Sequence, residues 1–541
     1  MGVKHSTPKS SVSVLKSTPV FRREDNMGVG AESVPDKHSA SVGTRVFQNT
    51  IVQLGGRGFS LLLSAAASIL LARYLGRERV GEYGALYAYL GLYSFLATFC
   101  LEPILAREVS RRRSEATQIF HTGSMVALSF ALAGTILAPL LAPLFGYAGQ
   151  LRWLVAVAAL DLLILPPIRL PAIVFQVDMK QWFAVGIGLL RQVLWLAAIV
   201  LLALRDAAFY QVVIARLLCG VLEAFVFFKL SYRRGFLSGP RRFDWSEARR
   251  LLQYGYPMVL SAVAVGIFFR IDQVMLHKMV GARALGPYVV AVQLTEQFGA
   301  LPVALITSLA PVLAVRVGQE VLFRHYLKQS YRFLTTVVFF VCAVITPITR
   351  PVIALLYGKE FLSSADLINV LIWSEVPLFL GVVITHALIA KNLQRYFPIS
   401  AAVGAAMNIG LNLVFIPHWG ALGASWATVI SYTFAAVLMY LVFKPSQAIA
   451  WDGLCIAAPP FAVTLLITFA LRFWPVHFAV KCLAAIALYA VGAWLTGTVR
   501  KPEIDHLKEM IHRTLKRVRP ETARNEEPGK STSAAPARGG K

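Results

Sequence analysis

Charge is scarce in this chain, and acid is scarcest. Of 541 residues only 15% are charged, 28 Asp and Glu against 53 Lys and Arg, for a formal net charge of +25. Soluble domains average about a quarter charged residues, so this poverty, with 57% hydrophobic residues and a mean hydropathy of +0.62, excludes a string of soluble domains. What remains is a polytopic membrane protein. The basic surplus is dealt out among short loops and both tails, so it reads as a topology signal with attraction to anionic lipid, and not as a nucleic-acid face.

Cysteine is equally thin. Cys100, Cys219, Cys342, Cys455 and Cys482 stand far apart inside apolar segments, with no CxxC or Cys/His spacing. Neither a disulfide framework nor a metal site follows, and the five are expected to be buried small hydrophobes. No nucleophile and base constellation, Gly-rich phosphate loop or His/Glu metal spacing appears, so no catalytic residue, cofactor or metal is expected.

What is present is apolar length. From about residue 50, segments of 19 to 28 residues follow one another, each enough for a hydrocarbon core of about 30 Å. They number fourteen, at roughly 50–72, 83–101, 119–145, 151–175, 182–204, 207–230, 254–280, 286–313, 333–357, 366–390, 398–416, 420–443, 452–472 and 476–498. The expected fold is all-α and polytopic: two pseudo-symmetric six-helix bundles, 46–230 and 254–443, joined by a basic linker 231–253, with two added spans in 444–499.

Before the first span, residues 1–45 lack an apolar run and read as a disordered arm, not a signal peptide. After the last, Ile504, Leu507, Ile511, Leu515 and Val518 recur among basic residues as an amphipathic surface helix over 500–520, followed by a low-complexity tail 521–541. With the N-terminus inside, the inner loops hold Arg107, Arg111, Arg112, Arg113, Lys180, Arg241, Arg242, Arg249, Arg250, Arg316, Arg324, Lys391 and Lys444. Both termini are therefore expected in the cytoplasm, in a cell inner membrane.

The bundles are tied together by an internal repeat. At an offset of 205 residues Leu71 falls on Leu276, Arg73 on Lys278, Gly76 on Gly281, Gly81 on Gly286 and Tyr83 on Tyr288. The first glycine of each pair is expected to end a helix in a left-handed conformation, and the second to let the next helix start close to the first.

Several charges lie within spans, where each costs about 2.5–3.5 kcal/mol on insertion scales and needs a partner, a cavity or a function. They are Arg57 beside three glycines, Asp161, Arg191, Arg216, Glu223, Arg270, Asp272, Glu296 (with Gln293) and Glu375. Arg216 and Glu223 share a helix face, and ties to each other or to Arg191 and Asp161 are the structural reading. Arg270 and Asp272 point about 200° apart, so a neighbouring helix holds one while the other is free to face a cavity. Asp272, Glu296 and Glu375 are candidate proton carriers. Gly404, Asn408 and Asn412 form a small and amide stripe suited to gluing helices.

The Leu71–Tyr83 turn, the Arg270–Leu276 run with Gly281, Gly286 and Tyr288, and Gly420-Ala-Leu-Gly423-Ala-Ser-Trp-Ala-Thr428 together resemble the Wzx-type polysaccharide flippases of the multidrug/oligosaccharidyl-lipid/polysaccharide (MOP) exporter superfamily. The resemblance covers about residues 45–500. It implies two bundles around a central cavity, alternating access, and translocation of a lipid-diphosphate-linked oligosaccharide from the inner to the outer leaflet. Cationic side chains would hold the diphosphate, and Arg57 and Arg270 best suit that role because guanidinium presents a planar fork of donors and stays charged when desolvated. The partners implied are that lipid-linked substrate, membrane lipids, and glycan polymerase or assembly enzymes. Two rivals remain: a cation-coupled multidrug antiporter, in which acids around Asp161 and Glu223 would matter most, and a membrane glycosyltransferase or polymerase, against which the short, acid-poor outer loops argue.

Overall fold

The computed structural model describes residues 37–177, 181–233 and 242–498. Among these there is no strand. The helices are α1 Lys37–Gly91, α2 Ser94–Thr98, α3 Leu101–Arg111, α4 Ala116–Leu141, α5 Gln150–Val177, α6 Gln181–Leu204, α7 Phe209–Arg233, α8 Trp245–Val280 and α9 Ala282–Glu296. They continue as α10 Ala300–Val315, α11 Glu320–Leu356, α12 Ser363–Leu371, α13 Glu375–Ala390, α14 Tyr396–Thr433, α15 Met439–Val442, α16 Lys444–Phe473 and α17 Phe478–Leu495. Residues 1–36 and 499–541, with most of the expected arm and all of the expected amphipathic helix and tail, lie outside the described residues, whereas 37–45 already belong to α1.

Eleven described helical segments are long and apolar enough to cross a membrane. Two of them are interrupted within. Gly58–Gly91 would run about 50 Å and Tyr396–Val442 about 70 Å at ~1.5 Å per residue, and each contains a non-helical glycine, Gly76 (φ 70, ψ 176) and Gly420 (φ 55, ψ −130). Each therefore makes two passes. One further pass is broken, with α9 and α10 flanking the Gln297–Gly299 interruption and each too short alone. Counted by passes, the described residues give about fourteen.

Apolar length did not reveal three helical extensions. Residues 101–111, treated in sequence as loop, form α3, whose buried Leu101, Ile104, Leu105, Glu108 and Val109 fall at helical spacing on one face. Helix α8 begins nine residues before the apolar run, where the Asp244 carboxylate accepts from the amides of Ser246 (2.8 Å) and Glu247 (3.2 Å) and so caps it. Helix α11 likewise starts at Glu320.

The repeat is visible in the backbone. Gly76 and its equivalent Gly281 adopt nearly the same torsions (φ 70, ψ 176 and φ 104, ψ 172). This is not the left-handed helical region expected. It is an extended positive-φ conformation essentially restricted to glycine, which reverses the chain more sharply. The second glycines act across the two halves and not within one hairpin. A Cβ on Gly81 would overlap the Ala282 carbonyl, and one on Gly286 would overlap the Arg77 carbonyl. Because Arg77 and Ala282 are themselves equivalent at the offset of 205, as are Gly81 and Gly286, the two turns touch reciprocally about a pseudo-two-fold axis. Gly84 abuts Val289, its own equivalent. Arg77 Nε donates to the Arg283 carbonyl at 2.8 Å and fixes the contact.

Within the second half, α8 packs along α14, where Gly404 admits the Phe268 ring. Fully buried Asn408 donates to Ser431 Oγ (2.9 Å) and accepts from Asn412 (2.8 Å), so the amides of the stripe join the two passes of α14 on either side of Gly420. The added spans α16 and α17 dock on α11: Tyr331 and Tyr489 hydroxyls donate to the carbonyls of Ile449 (3.0 Å) and Thr336 (2.8 Å), and Arg324 grips Asp452 (2.9 Å). The cysteines differ from expectation. Only Cys342 is buried, and Cys455 is exposed, because the outer surface of a membrane bundle meets lipid and apolar side chains there need no protein cover.

The reciprocal contact predicts that Gly81→Ala and Gly286→Ala each destabilise the folded protein by about 1–3 kcal/mol, by nearly equal amounts, through overpacking against backbone that cannot yield. Gly186→Ala, where a Cβ would meet nothing within 4 Å, is the control expected to cost nothing. Thermal unfolding of the three purified variants checks this.

Candidate functional site: a cavity between the repeated halves

Below the reciprocal turns lies a cavity of about 260 Å³. Its walls come from both halves: Ser64, Ser68 and Leu71 of α1 before the Gly76 break and Val80 and Tyr83 after it, Arg191, Gln192 and Trp195 of α6, Arg216 of α7, Val289, Val290 and Gln293 of α9, Gln297 just beyond it, and Tyr357 after α11. One hydrogen bond crosses between the halves here, Ser68 Oγ to Gln293 Oε1 at 2.6 Å, with Tyr357 Oη 3.4 Å from the same hydroxyl. Gln192 Nε2 donates to Ser60 Oγ at 2.6 Å, while Gln192 Oε1 is buried without a partner.

Asp161, Arg191, Arg216 and Glu223 of the first half each meet an opposite charge on another helix. Arg191 Nε lies 2.9 Å from Glu223 Oε2, and Arg216 Nε lies 3.8 Å from Asp161 Oδ2. Arg216 and Glu223 share a face of α7 but pair outwards in different directions. Arg216 also donates to Tyr83 Oη (2.7 Å) and sits 4.0 Å above the Tyr87 ring, an arrangement in which aromatic quadrupoles help hold a desolvated cation.

In the second half Asp272 is only 4% exposed. It accepts from Tyr288 Oη (2.5 Å), its neighbour's amide Gln273 N (2.7 Å) and Thr428 Oγ1 (3.4 Å). Tyr83 and Tyr288 are repeat equivalents, so one position in the repeat serves an arginine in one half and a carboxylate in the other. Arg270 points elsewhere: it is half-buried beside Gly91 of α1 and holds Glu296 with both terminal nitrogens (3.1 and 3.3 Å). Glu375 is 2% exposed, its Oε2 without a hydrogen-bond partner, close to the α9–α10 break at Gly299. Arg57 lies in α1, nineteen residues before Gly76, and its side chain lies outside the described residues.

At the end of the bundle opposite the reciprocal turns the halves are joined by charge. Arg112 bridges Glu108 (3.1 Å) and Glu247 (2.6 Å), and Arg250 reaches Glu108 (2.6 Å) and Glu247 (3.7 Å), tying α3 to the start of α8. Gln118 donates to Asp244 (3.1 Å) alongside. Sequence reading placed these arginines in basic loops. The buried apolar face of α3 was the signal that a helix presents them.

A cavity walled by two repeated halves, with a backbone contact between the halves at one end of the bundle and ion pairs between them at the other, goes with the MOP-superfamily transporter fold. Two solved structures share it: lipid II flippase MurJ in an inward closed conformation (TM-score 0.63, 15% identity, covering 83% of this chain and 98% of that one) and an inward-facing multidrug resistance MATE family transporter of the MOP superfamily (TM-score 0.60, 14% identity, 79% and 100%). Within that fold the chain belongs to the polysaccharide biosynthesis protein family, whose model matches residues 70–366. It is also 23% identical over 208 residues to Lipid II flippase MurJ of Bacillus subtilis, covering 36% of this chain and 38% of that relative. It thus matches about two fifths of the curated relative's length. Among the described residues no group of three or more His, Cys, Asp or Glu is placed to hold a metal ion.

Burial pushes the Glu108 carboxyl up, but Arg107, Arg250 and Arg112 together outweigh it and hold it below the usual carboxylate range. A depressed pKa contributes stability that is present above the unfolded value and is lost as pH falls through the folded one. Glu108→Gln should therefore lower the melting temperature at neutral pH, and the gap from the parent should close as pH drops below about 4. A melting series against pH checks it.

Proposed function

We propose that this protein is a flippase that moves a lipid-diphosphate-linked oligosaccharide from the inner to the outer leaflet by alternating access, for cell-surface polysaccharide synthesis. The observation that carries the reading is the cavity shared by the two repeated halves, in a chain of the polysaccharide biosynthesis protein family. The Ser68 to Gln293 bond and the reciprocal glycine contact close it towards one end. For the substrate to leave there, both must part while the Glu108, Arg112, Glu247 and Arg250 network keeps the other end shut. No bond-making chemistry is assigned to the protein.

In this reading the Gly76 and Gly281 turns face outside, both termini are cytoplasmic, and the membrane is the cell inner membrane. Arg270 and Arg57 hold the diphosphate. Arg270 is available for this because its side chain and that of its partner Glu296 are each 37% exposed, and an incoming phosphate, with two negative oxygens in bidentate reach, competes with the carboxylate for the guanidinium. Asp272, Glu296 and Glu375 are the coupling candidates. Drug antiport would depend instead on Asp161 and Glu223, each paired with an arginine, and the match to the polysaccharide biosynthesis protein family favours glycolipid transport over cation-coupled drug export. Glycan polymerase or assembly enzymes are the protein partners that fit this role.

Deleting the protein should leave lipid-linked oligosaccharide on the cytoplasmic side, shielded from a membrane-impermeant reagent. Arg270→Ala should reduce export at least about tenfold, a loss of ~1.4 kcal/mol or more. Loss of the lipid-linked sugar altogether would mean synthesis, and normal export with lost drug resistance would mean antiport.

A further inference from the structure

We propose that the cavity between the halves is a subsite for one neutral sugar ring, separate from the seat of the diphosphate. Five observations meet there. Its two arginines are each charge-paired within their own half, Arg191 with Glu223 and Arg216 with Asp161, and Arg216 also meets Tyr83 and the Tyr87 face, so the cavity offers no uncompensated positive charge to an anion, while Arg191 Nε itself makes no hydrogen bond.

The other polar groups on its wall are hydroxyls and amides, chiefly Ser64, Ser68, Gln293, Gln297 and Tyr357. Such groups both donate and accept, which is what a ring of sugar hydroxyls requires. Gln192 Oε1 is a buried acceptor with no donor, a deficit of about 1–3 kcal/mol that a ligand hydroxyl would relieve. Trp195 and Tyr83 add aromatic surface for the apolar C–H face of the ring. The volume, about 260 Å³, lies just below the roughly 300 Å³ from which ligand pockets usually run. That suits one ring and not a chain.

The subsite also explains the Ser68 to Gln293 bond. These two side chains belong to opposite halves and satisfy each other when no sugar is present. A sugar between them would take over both partners and free the halves to separate. Gln293 and Ser68 are then the residues that read the glycan, and Arg270 is not part of the cavity wall.

The inference rests on the flippase reading for its choice of glycan, yet it fails separately. In the full-length protein with its native cysteines replaced and Ala65→Cys placed in the cavity wall, the rate of labelling by a small thiol reagent reports occupancy. Glucose, galactose and N-acetylglucosamine are compared with sodium pyrophosphate, all in the millimolar range expected of a fragment of the substrate. At least one neutral sugar should slow labelling several-fold and pyrophosphate should not. Gln293→Leu should abolish the protection and Ser68→Ala, the milder change, should weaken it. Protection by pyrophosphate in place of sugars, or by neither, overturns the proposal. Sugar protection in a protein whose deletion strands no lipid-linked glycan would keep the subsite and remove the flippase reading.

Discussion

Two stretches of backbone touch across the middle of this molecule with no side chain between them, and the remaining architecture is arranged around that contact. Gly81 admits the Ala282 carbonyl and Gly286 admits the Arg77 carbonyl. Dispersion falls off steeply with separation, so a contact this close gives two packed halves a definite docked state. Backbone cannot rearrange its rotamers to follow a partial opening. The halves are therefore either together or apart at that end, which is the two-state behaviour that alternating access needs.

The charges inside the membrane follow the same economy. An isolated charge in a low-dielectric bundle is costly, and a pair with good geometry repays much of that cost. In the first half the pairs join α6 to α7 and α5 to α7, and in the second Arg270 joins α8 to the end of α9. These pairs stay within a half. Between halves the structure uses a neutral hydrogen bond, a glycine contact, exposed bonds from Arg73, Arg77 and Lys278 to carbonyls and, at the far end, a network in which partly exposed Arg112 and Arg250 cover the buried Glu108. Ties that must break during a cycle are thus the ones whose desolvation cost is small or shared with solvent.

Much of this is legible in the sequence. The all-α, many-pass fold follows from apolar length, and the repeat from the matched glycines and tyrosines. The partners were not legible. Arg216 and Glu223 share a face of one helix yet turn to Asp161 and Arg191, because helix rotation and tilt decide pairing and neither leaves a trace in spacing. Helix α3 was overlooked although its apolar residues recur at three and four, since a hydropathy window long enough for a span averages eleven amphipathic residues away. The cavity wall was the least legible part: Ser68, Gln192 and Tyr357 are ordinary polar residues until folding brings helices hundreds of residues apart in sequence to one place.

Central to all of this is that the Gly76 and Gly281 turns separate and rejoin as the two ends of the protein alternate. Glu78 and Arg283 are equivalent positions on those turns, and spin labels there in membrane-reconstituted protein would give the distance directly by pulsed electron resonance. Two populations are expected, one short and one longer, with the short one enriched when Arg112→Ala loosens the network at the opposite end. A single short distance, unchanged by that substitution, would mean that the reciprocal contact is a permanent weld and that the cavity does not open between the halves.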